Sequence, residues 1–297
     1  MRYTARLGNM NSHLAVIGRF APSPTGALHA GSLVAALGSC LSARSRAGRW
    51  LLRMEDLDTP RCSPAAEATI LRQLERLGFT WDGPVIRQSE RLDAYHDALQ
   101  MLRNGGWTYA CTCSRRERAQ DGTDSCCGGC SERALAPSGR HSVRVRVDDR
   151  PITFADRYCG MQQQVPRQCG GDFVILRADG YFAYQLAVVV DDAASGITEV
   201  VRGADLLDST GRQIHLQRLL GLPPVRYGHL PLVYNTLGQK LSKQTRAAPV
   251  GEHDPLTDLQ QAMVALGQTM EPVGSVEAFW RRAVEIWDES RIPSSPV

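Results

Sequence analysis

The succession of strand, broken loop and helix near the start of the chain limits its fold more than any other feature. Leu14-Ala15-Val16-Ile17 reads as a short buried strand of the kind found in parallel sheets. Arg19 to Gly26 cannot continue it, because Pro22, Pro24 and Gly26 force a loop. Leu28 to Ala43 then reads as a helix of small residues with Leu33, Leu37 and Leu41 on one stripe. Trp50 to Arg53 is a second strand, ending at Glu55, Asp56 and Asp58 and stopped by Pro60. Ser63-Pro64 supplies an N-cap and a first-turn proline for a helix that carries Ile70, Leu71, Leu74 and Leu77 and ends at Gly78. A further helix runs from about Ser89 to Arg103 and closes at Asn104-Gly105-Gly106. This alternation predicts an α/β fold with a doubly wound parallel sheet that binds a nucleotide.

The pattern changes after Trp107. His141 to Val147 alternates cleanly, as a half-exposed strand does. Patterning of strand and helix resumes near Tyr181. The apolar runs Leu186–Val190 and Ile197–Val201, a helix from Ser209 to Leu220 and a strand around Leu230–Tyr234 rebuild the second half of the sheet. The expected divisions are a disordered extension over 1–13, the first half of the sheet over 14–107, and an inserted β-rich subdomain over 108–180. The second half with a lysine loop follows over 181–250, and a short helical region over 251–297.

Composition narrows the class. An apolar content of 43% fits a globular chain, and a net charge of +3 alone predicts no nucleic-acid partner. No apolar run approaches the roughly 18 residues that span a bilayer. Met1 to His13 lacks the apolar centre of a secretory signal, so the cytoplasm is the expected location. In that reducing setting, five of the nine cysteines within twenty residues read as a metal site. Cys111-x-Cys113 and Cys126-x3-Cys130 give four thiolates for a tetrahedral, structural zinc, with Cys127 a competitor for the place of Cys126.

Two motifs roughly 210 residues apart carry the chemistry: Arg19-Phe20-Ala21-Pro22-Ser23-Pro24-Thr25-Gly26-Ala27-Leu28-His29-Ala30-Gly31 and Lys240-Leu241-Ser242-Lys243. Backbone N–H groups at a helix start favour anions, and His29 in that turn can reach a phosphate oxygen. Gly31 lets an adenine or ribose approach the backbone. Lys240 and Lys243 can neutralise charge on the α-phosphate and the departing pyrophosphate, which is worth about 3 kcal/mol per group. Together they predict that a carboxylic acid is activated with ATP, His29 and Lys243 being the catalytic candidates.

These two motifs resemble the class I aminoacyl-tRNA synthetases, specifically the glutamyl branch. The family's paired signatures read here as His29-Ala30-Gly31-Ser32, with serine where a second histidine is usual, and Lys240-Leu241-Ser242-Lys243. The runs Phe182–Asp192 and Val201–Leu207 are similar to the same branch. Over about residues 14–250 the resemblance implies a Rossmann-type catalytic sheet split by an inserted acceptor domain, a zinc site in that insertion, and Mg²⁺ with ATP. Only 54 of the 297 residues follow Lys243, too few for the large anticodon-binding region of the full-length members. The likeness is therefore to truncated members. It implies tRNA-independent activation of L-glutamate and its transfer to the queuosine base at the wobble position of tRNA(Asp), by a monomer. The family's glutamate contacts match Arg19, Phe20, Ala21, Pro22, Ser23, Glu55, Tyr184 and Arg202. The chemistry agrees: Arg19 can fork onto a carboxylate, Arg202 stands on the opposite wall, Glu55 receives the ammonium and Tyr184 offers a hydroxyl. Two rivals are conventional charging of a tRNA 3′ end and a non-catalytic tRNA-binding role.

Overall fold

β1 (Ile17–Phe20) begins at the end of the apolar run and continues through Arg19 and Phe20. That corrects the expected break at Arg19. The first residue without an N–H to give the sheet is Pro22, so the strand survives until just before it. The structure, a computed structural model, describes residues 15–113, 117, 129–132, 139–233, 250 and 254–294. The proposed extension 1–13 lies outside them, as do Lys240, Lys243, Cys126 and Cys127.

α1 (Ala30–Arg44) returns antiparallel to β1 and leads to β2 (Arg49–Met54), which pairs in parallel with β1, Arg19 opposite Leu51. α2 (Pro64–Arg76) starts as its sequence dictates: the Ser63 hydroxyl accepts the Ala66 N–H at 3.2 Å, and Pro64 fills the first turn. β3 (Ile86–Arg87) extends the sheet beyond β2. α3 (Leu92–Asn104) begins three residues later than expected, because Gln88–Glu90 forms a 3₁₀ turn first.

The segment after α3 divides its strands between two sheets. β4 (Thr108–Cys111) is followed by the one-turn helix α4 (Gly129–Glu132) and by β5 (Ser142–Val145). β6 (Ile152–Asp156) and β7 (Gly160–Gln164) form a hairpin, and β8 (Phe173–Leu176) joins β4 and β5 in a three-stranded antiparallel sheet. The hairpin instead joins the parallel layer through α5 (Tyr184–Ala194), β9 (Glu199–Gly203), α6 (Thr210–Leu219) and β10 (Arg226–Leu230), since β6 pairs with β10 at Asp156 and Tyr227. The run Leu186–Val190 is thus helical and Ile197–Val201 leads into a strand. The last strand lies over Arg226–Leu230, not Leu230–Tyr234, because Pro231 ends it.

The two halves of the parallel layer meet at β1 and β9, where Thr198 N–H donates to the Ile17 carbonyl at 2.9 Å and Ile17 N–H to Thr198 Oγ1 at 2.9 Å. The resulting order β3-β2-β1-β9-β10 reverses at this seam, the place where open α/β sheets bind ligands. Leu33, Leu37 and Leu41 of α1 are buried against Trp50, Leu52 and Met54, as their spacing predicts. α7 (Pro255–Ala265) and α8 (Val276–Ile286) cover the far side of α1 with Leu259, Met263 and Phe279, and they are the two short helices expected there.

α5 also crosses the seam with buried charge. Asp191 accepts from Gln88 Nε2 at 2.8 Å, Arg91 Nε at 2.6 Å and the Tyr95 hydroxyl at 2.8 Å. Asp192 accepts from Arg19 Nε at 3.2 Å and Arg53 Nη1 at 2.7 Å. Burial pushes the Asp192 carboxyl up, but the two guanidiniums outweigh it and hold its pKa below the ordinary carboxylate value. A carboxyl whose folded pKa is depressed adds stability above its unfolded pKa and loses it as pH falls through the folded one. Asp192→Asn should therefore flatten the fall of stability over the acid range below the ordinary carboxylate value, and cost about 3–5 kcal/mol in urea unfolding at neutral pH. A cost under about 1 kcal/mol would show that the arginines do not depend on this carboxylate.

Candidate active site

Backbone bonds tie the loop between β1 and α1 to the segment that follows β2. Glu55 N–H donates to the Pro22 carbonyl at 3.0 Å and Ser63 N–H to the Pro24 carbonyl at 3.0 Å. Leu28, expected to open the helix, instead turns inward, its N–H donating to Gln73 Oε1 at 2.8 Å. α1 consequently starts at Ala30 with His29 as its N-cap, Nδ1 accepting the Ser32 N–H at 3.3 Å. The Ser32 hydroxyl lies 3.2 Å from His29 Nε2, so the residue standing in for a second histidine orients the first.

Arg19 to Ser23, His29, Gly31, Glu55, Tyr184 and Arg202 all line one cleft of about 340 Å³ at the seam. Every sequence-predicted ATP or glutamate residue that is described thus comes together. Lys240 and Lys243 lie outside the described residues, but the residues flanking that segment are informative. Val233 lines the cleft, and Val250 N–H donates to the Leu28 carbonyl at 3.0 Å while Gln73 Nε2 donates to the Val250 carbonyl at 2.7 Å. The two sides of the segment that carries the lysines therefore both sit beside the turn that carries His29.

The charges in the cleft are of two kinds. Arg19 and Arg53 are neutralised: besides Asp192, Arg53 Nη2 donates to Glu55 Oε1 at 3.3 Å. Burial raises the Glu55 pKa above the ordinary carboxylate value, with Arg53 and Arg19 opposing. A cationic ligand beside Glu55 would draw it down again. Arg202 is different. Its Nε donates to His229 Nε2 at 3.0 Å, Nη1 to Gln213 Oε1 at 2.8 Å and the Tyr184 hydroxyl at 3.3 Å, and Nη2 to Thr210 Oγ1 at 3.0 Å and the Leu206 carbonyl at 3.2 Å. Arg202 is only 5% exposed, and among the described residues no carboxylate forms an ion pair with it. A buried cation so placed favours an anionic ligand. Burial keeps Tyr184 protonated by raising its pKa, so the hydroxyl that accepts from Arg202 still has a proton to donate. The expectation that Arg202 occupies an opposite wall is corrected: β9 adjoins β1, and Arg19 Nη1 lies 3.5 Å from the Val201 carbonyl, one residue away.

Sequence reasoning missed Arg53, Gln73, Asp156 and His229. Arg53 carried a signal, a charge inside the apolar strand Trp50-Leu51-Leu52; the other three become meaningful only through contacts with residues at least 27 positions away.

Cys111 at the end of β4, Cys113 two residues beyond it and Cys130 on α4 converge, their Sγ atoms all within 4.8 Å of one another. Cys113 Sγ and Cys130 Sγ stand 3.4 Å apart and form no disulfide. Three soft ligands at that spacing can hold a metal ion.

The family model for tRNA synthetases class I (E and Q), catalytic domain, matches residues 15–272. The chain belongs to this family. The chain is 54% identical over 287 residues to a glutamyl-Q tRNA(Asp) synthetase of Aromatoleum aromaticum, covering 93% of this chain and 90% of that one. It is 51% identical over 294 residues to the enzyme of the same name from Thiobacillus denitrificans, covering 95% and 97%. Among solved structures, a glutamate tRNA ligase from Elizabethkingia meningosepticum, in complex with its amino acid, superposes with a TM-score of 0.79 at 25% identity. That match covers 95% of this chain but 66% of the ligase, so this synthetase-family chain spans about two thirds of the ligase's length. No helix among the described residues is long and apolar enough to cross a membrane.

Proposed function

We propose that the chain activates L-glutamate with ATP in the absence of tRNA and transfers it from glutamyl-adenylate to the queuosine base at the wobble position of tRNA(Asp). The observation that carries the glutamate assignment is the Arg202 guanidinium, buried among neutral acceptors in the cleft that Glu55 also lines. One carboxylate of the substrate lies against Arg202 and Tyr184, and the ammonium against Glu55 and the adjoining backbone of Phe20 to Ser23. ATP lies along the N-terminus of α1, with His29 and Gly31 at its phosphates and ribose, and Mg²⁺ accompanying it. Lys240 and Lys243, in the segment between Val233 and Val250, are assigned the role of stabilising the charge on the departing pyrophosphate. The amino acid's carboxylate attacks the α-phosphate, and a queuosine hydroxyl then attacks the mixed anhydride, releasing AMP. No enzyme nucleophile is required, since orientation and charge stabilisation suffice. The acceptor is assigned by likeness to the glutamyl-Q relatives, which this chain matches over nine-tenths or more of its length.

Glutamate-dependent ATP–pyrophosphate exchange should proceed without tRNA, and labelled glutamate should pass to tRNA(Asp) only when it bears queuosine. Equal transfer to tRNA(Glu) would reinstate 3′-end charging, and absence of exchange would leave a tRNA-binding role.

For the cysteine cluster we propose a structural zinc held by Cys111, Cys113 and Cys130, the fourth ligand being Cys126 or Cys127, outside the described residues. Closely spaced thiolates need a cation between them, and zinc favours four such ligands. Such a centre would pin α4 to β4 and assigns the metal no catalytic part. Cys111→Ser should lower the zinc content of purified protein below one per chain and lower its melting temperature; full zinc content in that variant would remove Cys111 from the ligand set.

A further inference from the structure

Arg202 does not hold its own orientation. Its Nε–H points at His229 Nε2, 3.0 Å away. The opposite ring nitrogen of His229, Nδ1, lies 2.5 Å from Asp156 Oδ2. Both His229 and Asp156 are buried, and His229 stacks on Tyr227, whose ring also lies under the Arg202 guanidinium at 5.5 Å. The second carboxylate oxygen, Asp156 Oδ1, accepts backbone N–H groups from Tyr158 at 3.1 Å, Cys159 at 3.0 Å and His229 at 3.1 Å. This set of bonds admits one protonation pattern. Asp156 is an acceptor at every contact, so His229 must carry its proton on Nδ1, and Nε2 is left as the lone pair that Arg202 needs. Burial, reinforced by the charges of Arg202 and Arg19, lowers the His229 pKa against the pull of Asp156, which keeps the ring neutral. Burial pushes the Asp156 carboxyl up, but His229 and the backbone donors outweigh it and bring its pKa down to about 2, so it is ionised at neutral pH.

We infer that Asp156 and His229 are positioning residues that fix the direction of the Arg202 guanidinium, so that the hairpin β6–β7 sets the geometry with which the cleft grips the substrate carboxylate. Asp156 closes that hairpin at the end of β6, and the same residue pairs with Tyr227 of β10. The hairpin arises from the segment that interrupts the two halves of the sheet, so a part of the chain remote from the cleft in sequence reaches it through one imidazole. The inference rests on the reading of Arg202 as a glutamate contact.

The test is ATP–pyrophosphate exchange, with KM for glutamate and KM for ATP measured separately, and melting temperature alongside. In Asp156→Asn the three backbone donors keep the amide oxygen at the Oδ1 position, so the NH₂ group faces Nδ1. The proton then moves to Nε2 and opposes the Arg202 Nε–H. Asp156→Asn and His229→Leu should raise KM for glutamate about tenfold or more while KM for ATP stays within about twofold. His229→Gln, which restores an acceptor near Nε2, should recover most of the loss. If the leucine variant does not fold, the two near-isosteric variants carry the comparison. An unchanged KM for glutamate in Asp156→Asn, or an equal rise in His229→Leu and His229→Gln, would overturn the positioning role and leave the dyad as packing. A wild-type chain that exchanges with no dependence on glutamate would overturn the functional reading instead.

Discussion

The paired carboxylates Asp191 and Asp192 at the end of α5 are the constraint on which the cleft depends. They draw in arginines from β1, β2 and the turn before α3, and they do so at the seam between the two halves of the sheet. Two buried guanidiniums, Arg19 and Arg53, would be intolerable there without them. With them, β1 stays extended through Arg19 and the Pro22–Gly26 loop leaves the sheet at a fixed angle. Glu55, next to Arg53, is then presented to the same space. The apolar core beneath, from Leu33 to Phe279, supports this arrangement but does not by itself choose it.

Much of this was legible in the sequence because it rests on local rules. Proline, glycine and capping residues mark the ends of α2 and the loop before α1, and the leucine stripe of α1 faces the core as its spacing requires. The residues chosen for ATP and glutamate lie together because they sit at strand ends on either side of the reversal in strand order. What was not legible depends on contacts that no window of sequence contains. The hairpin β6–β7 reads locally as part of a separate unit, yet it pairs with β10 and delivers Asp156 to His229. Leu28 has the apolar character of a helix residue, but Gln73 captures its N–H and leaves His29 to cap the helix. Where Pro231 stops β10, the expectation of a strand over Leu230–Tyr234 followed hydrophobicity and overlooked the missing N–H.

The division of charge within the cleft is what gives it chemical direction. Arg19 and Arg53 are matched by carboxylates of the chain itself, whereas Arg202 is surrounded by imidazole, amide, hydroxyl and carbonyl groups that orient it without cancelling it. Glu55, its pKa raised by burial, is the complementary anion. A ligand with a free carboxylate and an ammonium completes both, and a neutral amide in place of that carboxylate leaves the guanidinium buried and unmatched.

The most direct test is therefore amino-acid choice in ATP–pyrophosphate exchange without tRNA, comparing glutamate with glutamine. The two have nearly the same shape and differ in one charge. Exchange with glutamate, and a kcat/KM for glutamine lower by about two orders of magnitude or more, is the predicted result. Comparable rates for both would contradict the claim that an unneutralised Arg202 defines the substrate.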